Sequence, residues 1–232
     1  MPTLSEIIAS MPKAKSRYDL IGNPAAYFVA RPLSYPLTWL CLRLGLSANQ
    51  ASLISLLFAL LAIGCAGLGA SAALIGSLVL LWLVLDCVDG NIARFTRTGS
   101  AQGEFLDAMG GYVLSAGIYL AIGYGSGDYD ALLLGGLASV FALFSRLILN
   151  KCNVLAGAQR SGSGDTGGGW TAQWTLSIYN LSGLGLPLLY LALQYQLQLP
   201  YLLFQAALGA AITLLAALRS WKRLAAPSSP VN

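Results

Sequence analysis

The sequence contains no histidine, and its 13 basic and 9 acidic residues make up only 9% of the 232 residues. The absence of histidine excludes Ser-His-Asp hydrolysis, Cys-His nucleophiles and histidine-ligated zinc. Soluble globular proteins have about 25% charged residues, so the scarcity of charge excludes a soluble globular domain. The hydrophobic content of 56% is typical of a polytopic membrane protein. Any catalysis must therefore use carboxylates, Arg, Lys, hydroxyl groups or a bound metal.

Long charge-free runs divide the sequence into candidate membrane spans. No charge occurs between Arg43 and Asp86 or between Asp165 and Arg219, and each run holds two helices of about 20 apolar residues. Further apolar stretches lie between these runs. The sequence therefore predicts an all-α integral membrane protein. Its six transmembrane helices are expected at about 50–69, 72–95, 100–124, 130–151, 172–195 and 200–221.

All 13 basic residues fall on one side of this six-span arrangement. They lie before the first span, between the second and third, at the end of the fourth and in the loop after it, and beyond the sixth. Because cytoplasmic loops collect Lys and Arg, both termini are predicted to be cytoplasmic. We expect a multi-pass protein of the cell (cytoplasmic) membrane, with any site on the basic side open to the cytosol.

Residues 1–48 are predicted to form a cytoplasmic or interfacial segment before the membrane domain at 49–223 and a tail at 224–232. Thr3 and Glu6 have the spacing of a capping box, and apolar residues at 4, 7, 8 and 11 form one helical face. A second apolar segment covers 36–44. Both patterns are typical of interfacial helices, while a partly disordered basic tail is an equal alternative for residues 1–20.

Acidic residues inside membrane spans are costly and mark functional sites by default. Asp86 and Asp89 lie three apart near the end of the second span, and Asp107 lies early in the third. Two antiparallel helices would aim these three carboxylates into one cavity near the cytoplasmic side. Three carboxylates without compensating cations would repel one another, and a bound divalent cation would offset this repulsion. Carboxylate oxygens are hard ligands, which favour Mg²⁺ or Mn²⁺. Small residues on the same helix faces leave room for a ligand: Gly90, Ala93 and Gly103.

These positions follow the spacing D-x2-D-G-x2-A-R-x8-G-x3-D-x3-D, and the pattern resembles the signature of the CDP-alcohol phosphotransferase family. Seven of the eight fixed positions match: Asp86, Asp89, Gly90, Ala93, Arg94, Gly103 and Asp107. The start of the first span, around Asn49, is also similar to that family. The resemblance implies a six-helix homodimeric membrane enzyme with its site at spans two and three.

The resemblance also implies a reaction and a set of ligands. A phospho-alcohol would pass from a CDP-linked alcohol donor to a membrane-associated lipid or lipid-phosphate acceptor, with release of CMP, as in phospholipid biosynthesis. The three aspartates would hold the metal, and no nucleic acid is expected as a partner. The CDP moiety would contact Asn49, Gly90, Ala93, Arg94 and Gly103. A donor or acceptor phosphate would contact Arg146, Lys151 and Arg160.

The eighth position of the pattern is Gly111, where the family has the aspartate taken as the catalytic base. Glu104 is expected to point away from the cavity of Asp107, so no base is assigned. One reading is a phosphate-bearing acceptor, which is already anionic and needs no base. A second is a hydroxyl acceptor that loses its proton to Asp107, a metal-bound hydroxide or a substrate phosphate.

Two further readings do not involve catalysis. The chain would then be an inactive CDP- or lipid-binding paralogue that acts as a membrane scaffold, or a transporter. Three acidic residues at the family's spacing favour the enzyme over both.

Overall fold

The computed structural model describes residues 3–155 and 170–225, and these residues form helices with no β-strand. Three short helices come first, followed by the long helices of the membrane domain. The short helices are α1 (Leu4–Ala9), α2 (Lys13–Gly22) and α3 (Arg31–Arg43). The others are α4 (Ala48–Gly67), α5 (Ala72–Thr96), α6 (Ala101–Gly125), α7 (Tyr129–Leu155), α8 (Trp170–Tyr179), α9 (Leu186–Gln194) and α10 (Gln198–Ala225).

The N-terminal segment is helical almost throughout. Thr3 caps α1, and its hydroxyl and the Glu6 carboxylate form the predicted capping box. The disordered alternative is wrong for residues 3–20, because α2 follows directly after Pro12. A π-helical turn at Ala26–Ala30 leads into α3, which therefore begins earlier than the predicted segment at 36–44.

Five helices within the described ranges are long and apolar enough to cross a membrane. They coincide with the first, second, third, fourth and sixth predicted spans, so the chain is an all-α, multi-pass membrane protein. A serine immediately precedes each of α4, α5 and α6, and its hydroxyl accepts a hydrogen bond from a first-turn amide: Ser47, Ser71 and Ser100. These caps satisfy amide groups that the helix itself leaves free.

The fifth predicted span is broken, and the prediction of one continuous helix over 172–195 is wrong. Helix α8 ends at Tyr179, Asn180 is extended, and a π-helical turn at Leu181–Gly185 leads into α9. Gly183 has φ −101° and ψ −134°, which is not a helical conformation. The sequence NLSGLGLP explains the break, because Gly and Pro are the weakest helix formers.

Small residues allow the helices of the membrane domain to approach closely. Helix α4 packs against α5 and α6, α6 against α7, and α7 against α10. A β-carbon added at Gly123 would overlap the carbonyl oxygen of Ala131, and one at Gly135 would overlap that of Tyr119. Glycine at both positions therefore sets the distance between α6 and α7.

Replacement of Gly135 by alanine is expected to destabilise the protein. The added methyl group meets backbone atoms of α6, so the helices must separate, at a cost of about 1–3 kcal/mol in the free energy of unfolding. The adjacent Gly136→Ala is the matched control, because a β-carbon there would lie 3.9 Å from the Leu120 side chain. Thermal unfolding in detergent would compare the two variants. Equal melting temperatures would contradict this account of the interface.

Candidate functional site

A cleft of about 360 Å³ opens between the start of α4, the end of α5 and the start of α6. Three separate stretches of the chain supply its walls. The linker at 97–100 between α5 and α6 forms one edge. The predicted site residues that line it are Asn49, Asp89, Gly90, Ala93, Gly103 and Asp107. The fold therefore brings together most of the positions that match the sequence pattern.

Asp89 is the most enclosed acidic group of the cleft, with only 6% of its surface exposed. Its carboxylate accepts a 2.5 Å hydrogen bond from the Ser52 hydroxyl, which also lies 3.2 Å from the carbonyl oxygen of Ala48. Ser52 is thus a site residue that was not among the predicted ligands. Its spacing from Asn49, three residues along α4, was the available signal.

Asp86 lies one helical turn deeper than Gly90 and does not line the cleft. Its carboxyl group stands beside that of Asp107 and also interacts with that of Asp89. Asp107 interacts with Asp89 as well. The three predicted metal ligands therefore lie together across α5 and α6, and all carry charge of the same sign when ionised.

These carboxyl groups fit a divalent cation in charge and in donor chemistry, since Mg²⁺ and Mn²⁺ prefer hard oxygen ligands. No group of three acidic or cysteine side chains within residues 3–155 and 170–225 is already arranged around a common metal position. Asp89 is turned toward Ser52, and Asp86 toward Asp107.

Gly103 and Gly90 give space to neighbouring polar side chains. A β-carbon at Gly103 would lie 3.0 Å from the Asn49 amide oxygen, and one at Gly90 would lie 3.1 Å from Nη1 of Arg94. Arg94 itself does not line the cleft. Its Nη2 donates a 2.8 Å hydrogen bond to Asn91, so its guanidinium lies along the cleft wall behind Gly90.

Glu104 lines the same cleft as Asp107, and the prediction that it points elsewhere is wrong. Successive residues of an α-helix are about 100° apart, so residues three apart differ by only about 60°. Glu104 lies in the first turn of α6, where the Ser100 cap fixes the start of the helix. The cleft therefore has a further exposed carboxylate near its mouth.

Gly111, where the sequence pattern would have its last aspartate, faces the guanidinium of an arginine. A β-carbon at Gly111 would lie 3.0 Å from Nη1 of Arg146, which extends from α7. The indole nitrogen of Trp82 approaches the adjacent Gly110, where a β-carbon would lie 3.7 Å away. Trp82 is 7% exposed, and its Nε1 has no hydrogen-bond partner within the described residues. The bare surface of α6 is thus faced by two hydrogen-bond donors.

A second cavity, of about 30 Å³, lies at this point. Trp82 and Arg146 line it together with Ser115, and the break in the fifth span closes it with Asn180 and Ser182. It is one to two helical turns from the aspartates along α5 and α6, on the side away from the cleft.

The other two predicted phosphate ligands are not placed at this cavity. Lys151 is exposed in the last part of α7 and lines neither cavity, and Arg160 lies outside the described residues. Arg146 is the one member of this predicted basic group that the described part of the chain places beside the site.

Comparison with models of known protein families found no match, and comparison with curated proteins found none either.

Divalent cations are expected to bind at the three aspartates. Asp89→Asn removes one anionic ligand, so it should weaken Mn²⁺ binding about tenfold or more, the cost of losing one charged contact. Electron paramagnetic resonance of Mn²⁺ titrated into the purified protein measures this affinity. Asp128→Asn, in the turn between α6 and α7 and so at the end of α6 away from the cleft, is the matched control and should leave it unchanged. Equal Mn²⁺ affinity in all three proteins would contradict the metal site.

Proposed function

We propose that the chain is a divalent-metal-dependent transferase of the cell membrane. It moves a phospho-alcohol group from a CDP-linked donor to a membrane-associated acceptor and releases CMP. The observation that carries this proposal is the cleft, because residues of the CDP-alcohol phosphotransferase-like pattern converge on it from α5 and α6, and Asn49 joins them from α4. Membership of that family is part of the proposal.

In this proposal the cleft holds the nucleotide half of the donor. Asn49 provides an amide, and Gly90 and Gly103 expose the backbone of α5 and α6 to a close ligand. Asp86, Asp89 and Asp107 would hold Mg²⁺ or Mn²⁺. When bound, the cation neutralises charge on the diphosphate of the donor, which is the main requirement of phosphoryl transfer.

The acceptor is proposed to carry a phosphate. Arg146 and the Trp82 indole nitrogen face the bare surface at Gly110 and Gly111, and both are hydrogen-bond donors. A carboxylate at position 111 would pair with Arg146, whereas glycine leaves the guanidinium available for an anionic ligand. An oxygen of the acceptor phosphate attacks the β-phosphorus of the donor, a new P–O–P bond forms, and CMP leaves with the bridging oxygen. The attacking oxygen is already anionic, so no base is needed.

A hydroxyl acceptor is the second candidate, because Glu104 lies at the same cleft as Asp107. Either carboxylate would then take the proton of the attacking hydroxyl, a role that contributes about 10²–10⁴-fold to rate. An inactive CDP- or lipid-binding scaffold is the remaining alternative, and it predicts binding without CMP release.

The two candidate acceptors are distinguished by a CMP-release assay that compares lipid phosphates with lipid and soluble alcohols, each with several CDP-alcohols. Phosphate acceptors should give CMP with the wild type. Gly111→Asp should reduce this rate tenfold or more, because the new carboxylate competes for Arg146, and Arg146→Gln should do the same. Loss of one hydrogen bond to a charged group, about 1.5–3 kcal/mol, accounts for this factor.

Lys222→Gln, a basic residue in the last turn of α10, is the control and should keep the wild-type rate. A rate that rises in Gly111→Asp with an alcohol acceptor would favour the hydroxyl candidate. Absence of CMP with every donor and acceptor, together with retained CDP binding, would overturn the enzyme in favour of the binding paralogue.

We also propose six membrane crossings with both termini in the cytoplasm, in which α8 and α9 together make the fifth crossing. The basic residues then all face the cytosol, as the positive-inside rule requires. A C-terminal fusion to green fluorescent protein should fluoresce, and a fusion to alkaline phosphatase should be inactive. The opposite pair of results would place the C terminus outside and contradict the crossing number.

A further inference from the structure

A buried ion pair links α2 to α3, and neither of its side chains lines either cavity. The Arg31 guanidinium donates to one carboxylate oxygen of Asp19 at 2.9 Å and 3.1 Å. The two side chains are 10% and 5% exposed. Burying two charges is costly, and an apolar pair would often be as stable. The position of this pair therefore calls for an explanation other than stability.

The pair continues into α5 through Asn91, which is 1% exposed. The amide oxygen of Asn91 accepts hydrogen bonds from Arg31 at 3.4 Å and from Arg94 at 2.8 Å. Its amide nitrogen donates to the hydroxyls of Ser34 and Thr38 at 3.0 Å and 3.1 Å.

The orientation of this amide is fixed. Both hydroxyls donate their own hydrogens to backbone carbonyls of α3, so each can only accept from Asn91. The amide nitrogen must therefore face α3. The oxygen must face the two guanidinium groups.

Arg94 is held in one orientation by this chain of contacts. Its Nη2 is fixed on Asn91, and its Nη1 lies over Gly90, a residue of the cleft wall. Its buried Nε has no hydrogen-bond partner within the described residues. Two guanidinium groups share one amide oxygen, and Asp19 is the carboxylate that balances Arg31.

We propose that Asp19 and Arg31 are positioning residues, which act through Asn91 to hold the Arg94 guanidinium at the edge of the cleft. The inference rests on the proposed function, because the ligand that Arg94 would contact is the CDP moiety. Fixing the guanidinium before the ligand arrives reduces the cost of ordering a long side chain on binding. The N-terminal helices thus contribute to the site without contacting the ligand.

The first test measures the orientation of Arg94 and needs no substrate. Phenylglyoxal modifies arginine side chains. The folded, full-length protein is treated with the reagent and then digested, and mass spectrometry of the peptides gives the rate of modification at Arg94. Asp19→Asn and Arg31→Gln should each increase this rate at least threefold. Arg17→Gln, an exposed arginine on the same helix as Asp19, is the matched control and should leave it unchanged. An unchanged rate in both test variants would overturn the proposal.

The second test measures binding of CDP in the presence of Mg²⁺ and uses a double-mutant cycle. Arg31→Gln and Asp19→Asn should each raise the Kd for CDP about five- to tenfold. In an Arg94→Gln background, Arg31→Gln should change Kd less than twofold, because there is no guanidinium left to position. Independent effects that multiply would indicate a merely structural role and overturn the proposal.

Melting temperatures and gel-filtration profiles verify that each variant is folded before either measurement. If a variant does not fold, Arg31→Lys replaces it, since lysine keeps the charge but cannot bridge Asp19 and Asn91 in the same way. If the wild type does not bind CDP, the proposed function fails. The modification rate at Arg94 then still decides whether Asp19 and Arg31 hold it.

Discussion

The repulsion between three carboxyl groups that two neighbouring membrane helices bring together is the constraint on which the site depends. Asp86, Asp89 and Asp107 interact with one another across α5 and α6. Asp89 is buried, so its charge is screened less than that of the exposed Asp107. The surrounding structure accommodates this charge in two ways. Ser52 donates a hydrogen bond to Asp89. The glycines beside the aspartates allow polar groups and a ligand to approach the helix backbone.

The charge of the site changes along the helices, from acidic groups at one end to hydrogen-bond donors at the other. Acidic groups lie in and just beneath the cleft, and Arg146 with the Trp82 indole lies farther along, beside Gly110 and Gly111. Under the proposed function, a donor with a diphosphate and an acceptor with a negative charge would both suit such an arrangement. A bound cation would neutralise the first, and the Arg146 guanidinium would attract the second. With glycine at 111, no carboxylate at that position offsets the charge of Arg146.

Much of this could be predicted from sequence, because the responsible signals are local. Charge-free runs located five of the membrane helices, and the spacing of the acidic residues located the cleft. Glu104 could also have been placed correctly, since helix geometry alone puts it about 60° from Asp107. The break at Gly183 was missed because apolar length outweighed the Gly and Pro signals. The bonds of Arg31 to Asp19 and Asn91 join α2, α3 and α5, and no periodicity in any one helix indicates which residues of another will meet it.

One contact at the break in the fifth span has a consequence for how the protein is made. The Ser182 hydroxyl donates to Asn23, and the Asn23 amide donates to Asp19. Asn23 and Ser182 are separated by 159 residues in the chain. Asn23 leaves the ribosome long before Ser182, so this hydrogen bond can form only after helices α4 to α8 have been synthesised. Asp19, the partner of Arg31, is therefore joined through Asn23 to a contact that is completed late in synthesis.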